Sequence, residues 1–272
     1  MNNKRLAPGG GGGGAWLNGP KTASTEKFST VSSGRAMELA GGFADAEQSG
    51  TSIFDPVLTE LAYRWFSPPS GAILDPFAGG SVRGIVASVL GREYHGVELR
   101  AEQVAANQAQ AHIGTGPAPT WYCADSKSIA SVVPVQADMV FSCPPYADLE
   151  VYSDDPRDIS TMSYEAFVEA YRAIIKAACD KLKDNRFACF VVGEVRDKKG
   201  NYRNFVGDTV EAFRAAGLHY YNEAILLTVV GSLPIRAGKQ FMAGRKLGKT
   251  HQNVLVFVKG DGKKAAAACN AS

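Results

Sequence analysis

The sequence has few cysteines and histidines, little net charge and no long apolar run, and each shortage excludes a class of protein. Its five cysteines (Cys123, Cys143, Cys179, Cys189, Cys269) contain no CxxC pair and share no ligand spacing with the four histidines. That argues against a zinc site or a disulfide framework and fits a reducing compartment. No metal centre is expected. Lys and Arg number 29 against 27 Asp and Glu, a formal net charge of +2. Overall charge therefore neither demands nor forbids a nucleic-acid partner, and only local clusters can decide. No apolar run reaches bilayer-spanning length, and the N-terminus lacks the apolar core of a secretion signal. The expectation is a soluble cytoplasmic protein with no membrane partner. Apolar residues at 45% and charged residues at 21% exclude a mainly disordered chain, and 272 residues can bury a substantial core.

Organisation along the chain follows from composition and period. Residues 1–50 contain an unbroken glycine run at 9–14 and are otherwise rich in Ser, Thr, Ala and Gly. Such a stretch buries too little apolar area to offset chain entropy, so it reads as a flexible segment. Residues 261–272, rich in alanine and small polar residues, read as a tail. Between them, 51–260 alternates between strand and helix patterns. Helices are expected at 56–66 (Asp55 as N-cap, Pro56 at the first helical position), 81–90, 100–113, 164–182 and 205–216. Strands are expected at 72–74, 93–97, 121–123, 137–142, 187–192, 220–230 and 253–258. Short apolar strands separated by helices imply an α/β, doubly wound, mostly parallel seven-stranded sheet of Rossmann-like type. Ligands of such sheets sit at the carboxyl ends of the strands.

Chemistry-bearing residues fall at those ends. The first strand runs into Asp75-Pro76-Phe77-Ala78-Gly79-Gly80-Ser81, where glycines let the backbone approach a ligand and the next helix offers unpaired amides. The second strand ends in Glu98, where an acid can grip ribose hydroxyls, and Asp125 follows the third. Together they suggest a nucleoside pocket. After the fourth strand comes Ser142-Cys143-Pro144-Pro145-Tyr146. Two prolines hold a rigid loop with free carbonyls, and a tyrosine face can stack on a base.

This combination resembles the S-adenosylmethionine-dependent amino-methyltransferases of DNA, which methylate adenine N6 or cytosine N4. Their cofactor turn has the form Asp-Pro-Phe-x-Gly-x-Gly and their catalytic loop Asp/Asn/Ser-Pro-Pro-Tyr. The resemblance spans about residues 53–259, and Phe54-Asp55-Pro56 before a helix looks like the family's additional cofactor motif. It implies that Asp75, Pro76, Phe77, Gly79 and Gly80 line the methionine part of the cofactor, with Phe54 closing over it. It likewise implies Glu98 at the ribose, Asp125 at the adenine amine, and Cys143, Pro144, Pro145 and Tyr146 as the catalytic loop around a flipped-out base.

Two departures from the family pattern matter. The third glycine is absent, since Ser81 and Val82 follow Gly80, and the acceptor position before the prolines is a cysteine, whose thiol is a weak acceptor. Ser142 lies one residue earlier and points to the other face of an extended strand. A rival reading follows, C5-pyrimidine methylation with Cys143 as nucleophile and Glu194, after the fifth strand, assisting at the ring. A second rival is a catalytically silent module that keeps cofactor and nucleic-acid binding. Residues 232–251 carry Arg236, Lys239, Arg245, Lys246 and Lys249 with no acid. They read as a glycine-hinged loop for DNA phosphates. The stretch after Tyr146, with Asp148, Glu150, Asp154, Asp155 and Asp158, is acidic and would serve as a lid or a reader of base edges. DNA is expected ahead of RNA. No long recognition insert is evident, so target choice is short or loose, or comes from a separate partner.

Overall fold

The computed structural model describes residues 53–146, 152–228 and 233–270. The glycine-rich segment expected over 1–50 lies outside them, as do Asp148 and Glu150. Helix α1 (Pro56–Phe66) starts as its sequence dictates. The Asp55 carboxylate accepts from the amides of Val57 and Leu58, and Pro56 occupies a first-turn position whose missing N–H leaves nothing unpaired. There follow β1 (Ala72–Asp75), α2 (Val82–Val89), β2 (Glu93–Glu98), α3 (Ala101–Gln110), β3 (Thr120–Cys123), α4 (Ile129–Val132) and β4 (Ala137–Ser142). The second half contains α5 (Tyr164–Lys181), β5 (Leu182–Val192), α6 (Phe205–Ala215), β6 (His219–Leu227), α7 (Leu233–Gly244), β7 (His251–Lys259) and α8 (Gly262–Cys269).

The strands form one sheet in the order β3-β2-β1-β4-β5-β7-β6. Its first five strands are parallel, and β7 runs antiparallel between β5 and β6. The doubly wound, seven-stranded architecture is therefore as expected. Strand β4, with both faces covered, is buried at every position, in line with its central apolar run Met139-Val140-Phe141. On one face Tyr63 of α1, Ala87 of α2, Val104 of α3 and Ala265 of α8 pack over Ile73, Met139, Phe141, Cys189 and Val256. On the other, Phe167 and Tyr171 of α5 and Phe205 and Phe213 of α6 pack over Val140, Phe190 and Phe257. The strand order reverses between β1 and β4, so their carboxyl ends open the crevice where a ligand can enter.

Two expected segments differ. The glycine-hinged loop expected over 232–251 between the last two strands carries the helix α7. Pro234 falls in its first turn, where proline is tolerated, and Gly238 is outweighed by Ala, Lys, Gln, Phe and Met around it. The 261–272 stretch is not a simple tail, because 262–269 forms α8. Asp261 caps it by accepting from the Lys264 amide, and Ala265 is fully buried. Alanine, read as low complexity, is the strongest helix former and small enough to seat a helix close to a sheet.

Candidate functional site

The turn after β1 is built around Asp75, whose side chain is fully buried. Oδ1 accepts from the Ser142 hydroxyl (2.6 Å) and the Phe77 amide (3.1 Å). Oδ2 accepts from Arg83 Nε (2.6 Å) and the Tyr94 hydroxyl (2.8 Å). Four donors saturate this carboxylate. The turn does not present Asp75 to a ligand, contrary to the expectation that it lines the cofactor, and the residue acts as an anchor. Arg83, on α2, completes the anchor by donating to the carbonyls of Phe77 (2.6 Å) and Ala78 (2.9 Å), and its guanidinium lies 4.7 Å from the Phe54 ring. Burial alone would lower the Arg83 pKa, but the Asp75 carboxylate beside it overrides that and raises it. This buried arginine was missed in the sequence, where its only signal is a charge inside the apolar run Val82-Arg83-Gly84-Ile85-Val86.

Gly79 adopts a left-handed φ of +52°, which a side chain would strain. Its amide donates to Glu98 Oε2 (3.0 Å), and its carbonyl accepts from Asn107 Nδ2 (2.7 Å). Glu98 Oε1 accepts from the Arg100 amide (3.0 Å) and lies 3.4 Å from Arg100 Nε. The Glu98 side chain is only 12% exposed. Glu98 thus stands beside the glycine turn, with Oε2 taking a single donor and a lone pair left over. A Cβ built on Gly80 meets nothing within 4 Å, so open space lies above the turn. Ser81 begins α2 without capping it, since its hydroxyl goes to Gln110 (2.5 Å). Asp125 ends the β3 loop, caps the short turn at 126–128 through the Lys127 amide and pairs with Lys127 Nζ (3.3 Å). Ser126 donates to the Pro76 carbonyl (2.5 Å), tying the β3 turn to the β1 turn. Phe77 leans on Tyr171 and Phe190 from the opposite face.

The catalytic-loop candidate leaves β4 beside this crevice. Ser142 and Cys143 diverge as strand alternation dictates. Ser142 is buried against Asp75, while Cys143 packs against the cluster on the α1 face that contains Phe141. Pro144 and Pro145 follow, and Tyr146 turns back to the α6 face, its ring against Phe205 and its hydroxyl accepting from Gln252 (2.5 Å). Burial pushes the Tyr146 pKa well above its usual value, and the neighbouring Cys143 adds to this. Its Oη lies 3.9 Å from Cys143 Sγ. Much of the tyrosine is thereby committed to the wall of the site.

Cys143 and Glu194 follow the neighbouring strands β4 and β5, and their side chains are packed differently. Glu194 sits on the α6 face, where Oε1 accepts from the Val206 amide (3.0 Å), and Cys143 lies toward α1. Among the described residues no cluster of three or more His, Cys, Asp or Glu is placed to hold a metal, and no helix is long and apolar enough to cross a membrane.

The cations distribute unevenly. Lys239 and Arg245 are exposed, with the Arg245 guanidinium 5.0 Å from the Phe241 ring. The Arg236 side chain lies outside the described residues. Lys246 lies against Gly200, where any side chain would collide with its ammonium. Lys249 turns into a cleft beside Glu194, and burial lowers its pKa against the opposing pull of that carboxylate. Gly200 tips a second basic element that sequence reading passed over. The turn 196–202 is closed by an Arg196–Tyr202 bridge and carries Lys198 and Lys199. Its acid, Asp197, is used internally on the Asn201 amide (2.8 Å). The acidic stretch after Tyr146 is likewise engaged with itself in its described part. Asp155 pairs with Arg157 (2.6 Å), and Asp158 caps 159–161.

In architecture the chain is similar to TrmN from Thermus thermophilus, at 14% identity and a TM-score of 0.50. That match covers 76% of this chain and 49% of that one, so the chain spans about half the length of the Thermus protein. It is similar to a SAM-dependent methyltransferase from Methanosarcina mazei (10% identity, TM-score 0.50, covering 77% and 99%). It is also similar to a candidate RNA methyltransferase from Pyrococcus horikoshii (15% identity, TM-score 0.50, covering 83% and 96%). These likenesses show a Rossmann-like methyltransferase fold. No family model and no curated protein sequence matches the chain.

Proposed function

We propose that the protein is an S-adenosylmethionine-dependent methyltransferase acting on an exocyclic amine of a flipped-out DNA base, adenine N6 or cytosine N4. The observation that carries this reading is the convergence of three strand ends, the Gly79-Gly80 turn after β1, Glu98 at the end of β2 and the Cys143–Tyr146 loop after β4. Open space above Gly80 and a spare lone pair on Glu98 Oε2 fit a ribose and its methionine arm. Asp125 closes the adenine end. The cofactor supplies an electrophilic methyl on a sulfonium.

The chain's own residues do the rest. An exocyclic amine is a weak nucleophile because its lone pair is delocalised into the ring. Acceptance of its N–H bonds by a proline-loop carbonyl localises that lone pair, and the rigid Pro144-Pro145 pair holds the carbonyl in place. With the cofactor held by the Gly79-Gly80 turn and Glu98, its sulfonium methyl would be the electrophile for that amine, whose surplus proton would pass to solvent. Orientation and electrostatics supply the rate, with no covalent bond to the protein.

Transfer of a labelled methyl to DNA, with RNA in parallel, followed by digestion to nucleosides and mass spectrometry, tests the reading. N6-methyladenine or N4-methylcytosine is the expected product. 5-methylcytosine, or no transfer at all, rejects it. Cys143→Ser gives a sharper test. Serine restores an oxygen acceptor, so the variant should keep transfer or raise it, and wild type should form no denaturant-resistant adduct with 5-fluorocytosine DNA. An inactive serine variant with a stable adduct would establish the thiol as a nucleophile.

The exposed cations of the α7 region and the 196–202 turn supply phosphate contacts. Neutralising Arg245 and Lys246 together should weaken binding across DNA sequences and reduce the log–log salt slope by about two. Wild-type affinity and slope would place those contacts elsewhere.

A further inference from the structure

A cleft of about 530 Å³ opens between the end of β5, the start of β7 and the start of α6, walled by Glu194, Tyr202, Asn204, Lys249, His251 and Asn253. None of Cys143, Pro144, Pro145 and Tyr146 lines it. Tyr146 stands behind it, with its hydroxyl on Gln252, the residue between two wall residues. The cleft is therefore a neighbour of the transfer loop and not the loop's own pocket.

Its most informative group is Glu194. One carboxylate oxygen is occupied by the Val206 amide, and the other, Oε2, is buried with no hydrogen-bond partner. A buried carboxylate oxygen is costly to leave without a donor, so this atom marks where a donor belongs. A carboxylate accepts and cannot donate. It selects an N–H-bearing group and repels a carbonyl oxygen at the same position. An isolated ammonium would fit Glu194 but would meet Lys249 in the same cleft and Lys198 and Lys199 on the adjoining turn. A ligand with both an amine and a phosphate satisfies the two signs of charge together. The Tyr202 ring adds a flat wall, held by the Arg196 guanidinium 3.9 Å from its centroid.

We infer that this cleft is a second nucleotide subsite, holding a base with an exocyclic amine next to the base that is methylated, with Glu194 as the specificity-determining acceptor. The inference rests on the nucleic-acid reading above and makes the chain sensitive to sequence context without a recognition insert.

The test uses the full chain, 15N-labelled, titrated with CMP against UMP and AMP against IMP, and reads the amide signals of Asn204, Gly207 and Asn253. Within at least one pair, the amine-bearing nucleotide should bind at least about tenfold more tightly than its oxo partner, from one charge-assisted hydrogen bond gained and one repulsion avoided. Glu194→Gln keeps an acceptor for Val206 and adds a donor, so the preference should fall to about unity. Equal binding of amine and oxo partners by wild type overturns the inference, as does a preference that survives in Glu194→Gln. Absence of any shift at these amides overturns it too. Methyl transfer by wild type is measured separately. Transfer without an amine preference in this cleft sinks the inference alone. A preference without transfer to DNA or RNA rejects the methyltransferase reading and leaves only an amine-selective nucleotide site.

Discussion

Asp75→Ala should lower folding stability by about 3–5 kcal/mol, measured by urea unfolding, because it strands a buried arginine. The Arg83 side chain is about 6% exposed and pairs with Asp75 at 2.6 Å. Removing the carboxylate leaves its charge uncompensated and takes the partner from the Ser142 and Tyr94 hydroxyls. The companion variant separates this cause from a simple cavity. Arg83→Met in the Asp75→Ala background removes the orphaned charge and should recover much of the loss, since a buried pair replaced by apolar groups is often close to neutral. A single variant within about 1 kcal/mol of wild type would show that water reaches Arg83 and that the turn is not anchored as described. Because Asp75 also orients the Phe77 amide and, through Arg83, two turn carbonyls, the folded fraction of the variant should bind cofactor poorly as well.

Glu98→Ala should weaken S-adenosylmethionine binding by about 1–3 kcal/mol, roughly a 5- to 150-fold rise in Kd by calorimetry, with far less effect on stability. The ribose loses a charged acceptor, and the Gly79 amide loses the group that fixes it (3.0 Å). Glu98→Gln is the informative control. It keeps an acceptor for Gly79 but has less charge to offer hydroxyls, so its Kd should fall between the two. Unchanged affinity in both variants would remove Glu98 from the pocket and weaken the cofactor assignment as a whole. An alanine variant that fails while the glutamine variant binds as wild type would mean that Glu98 only positions the turn.

Much of this molecule was legible because the relevant physics is local. The helix at Pro56–Phe66 follows from Asp55, Pro56 and an apolar stripe within a dozen residues. The burial of the centre of β4 follows from its apolar run Met139-Val140-Phe141, and the opposite headings of Ser142 and Cys143 follow from strand alternation. The placement of the glycine turn, Glu98, Asp125 and the Pro-Pro-Tyr loop at successive strand ends was likewise readable. Helix α7 and helix α8 were not, since glycine hinges and alanine-rich composition suggested loop and tail. The deciding terms were first-turn tolerance of Pro234 and the packing of Ala265 on the sheet.

The sequence by itself thus determined the alternation of strands and helices, the sheet type and the residues at its carboxyl ends, because spacing and propensity act over a few positions. Only the tertiary structure decided what each charge does. Asp75 is an anchor because Arg83, Tyr94 and Ser142, up to 67 residues away, converge on it. Glu194 is a candidate reader because the start of α6 claims only one of its oxygens and the other is buried without a donor. The role of a carboxylate depends on which donors surround it and on how much water is excluded, and both are set by groups that meet only when the chain has folded.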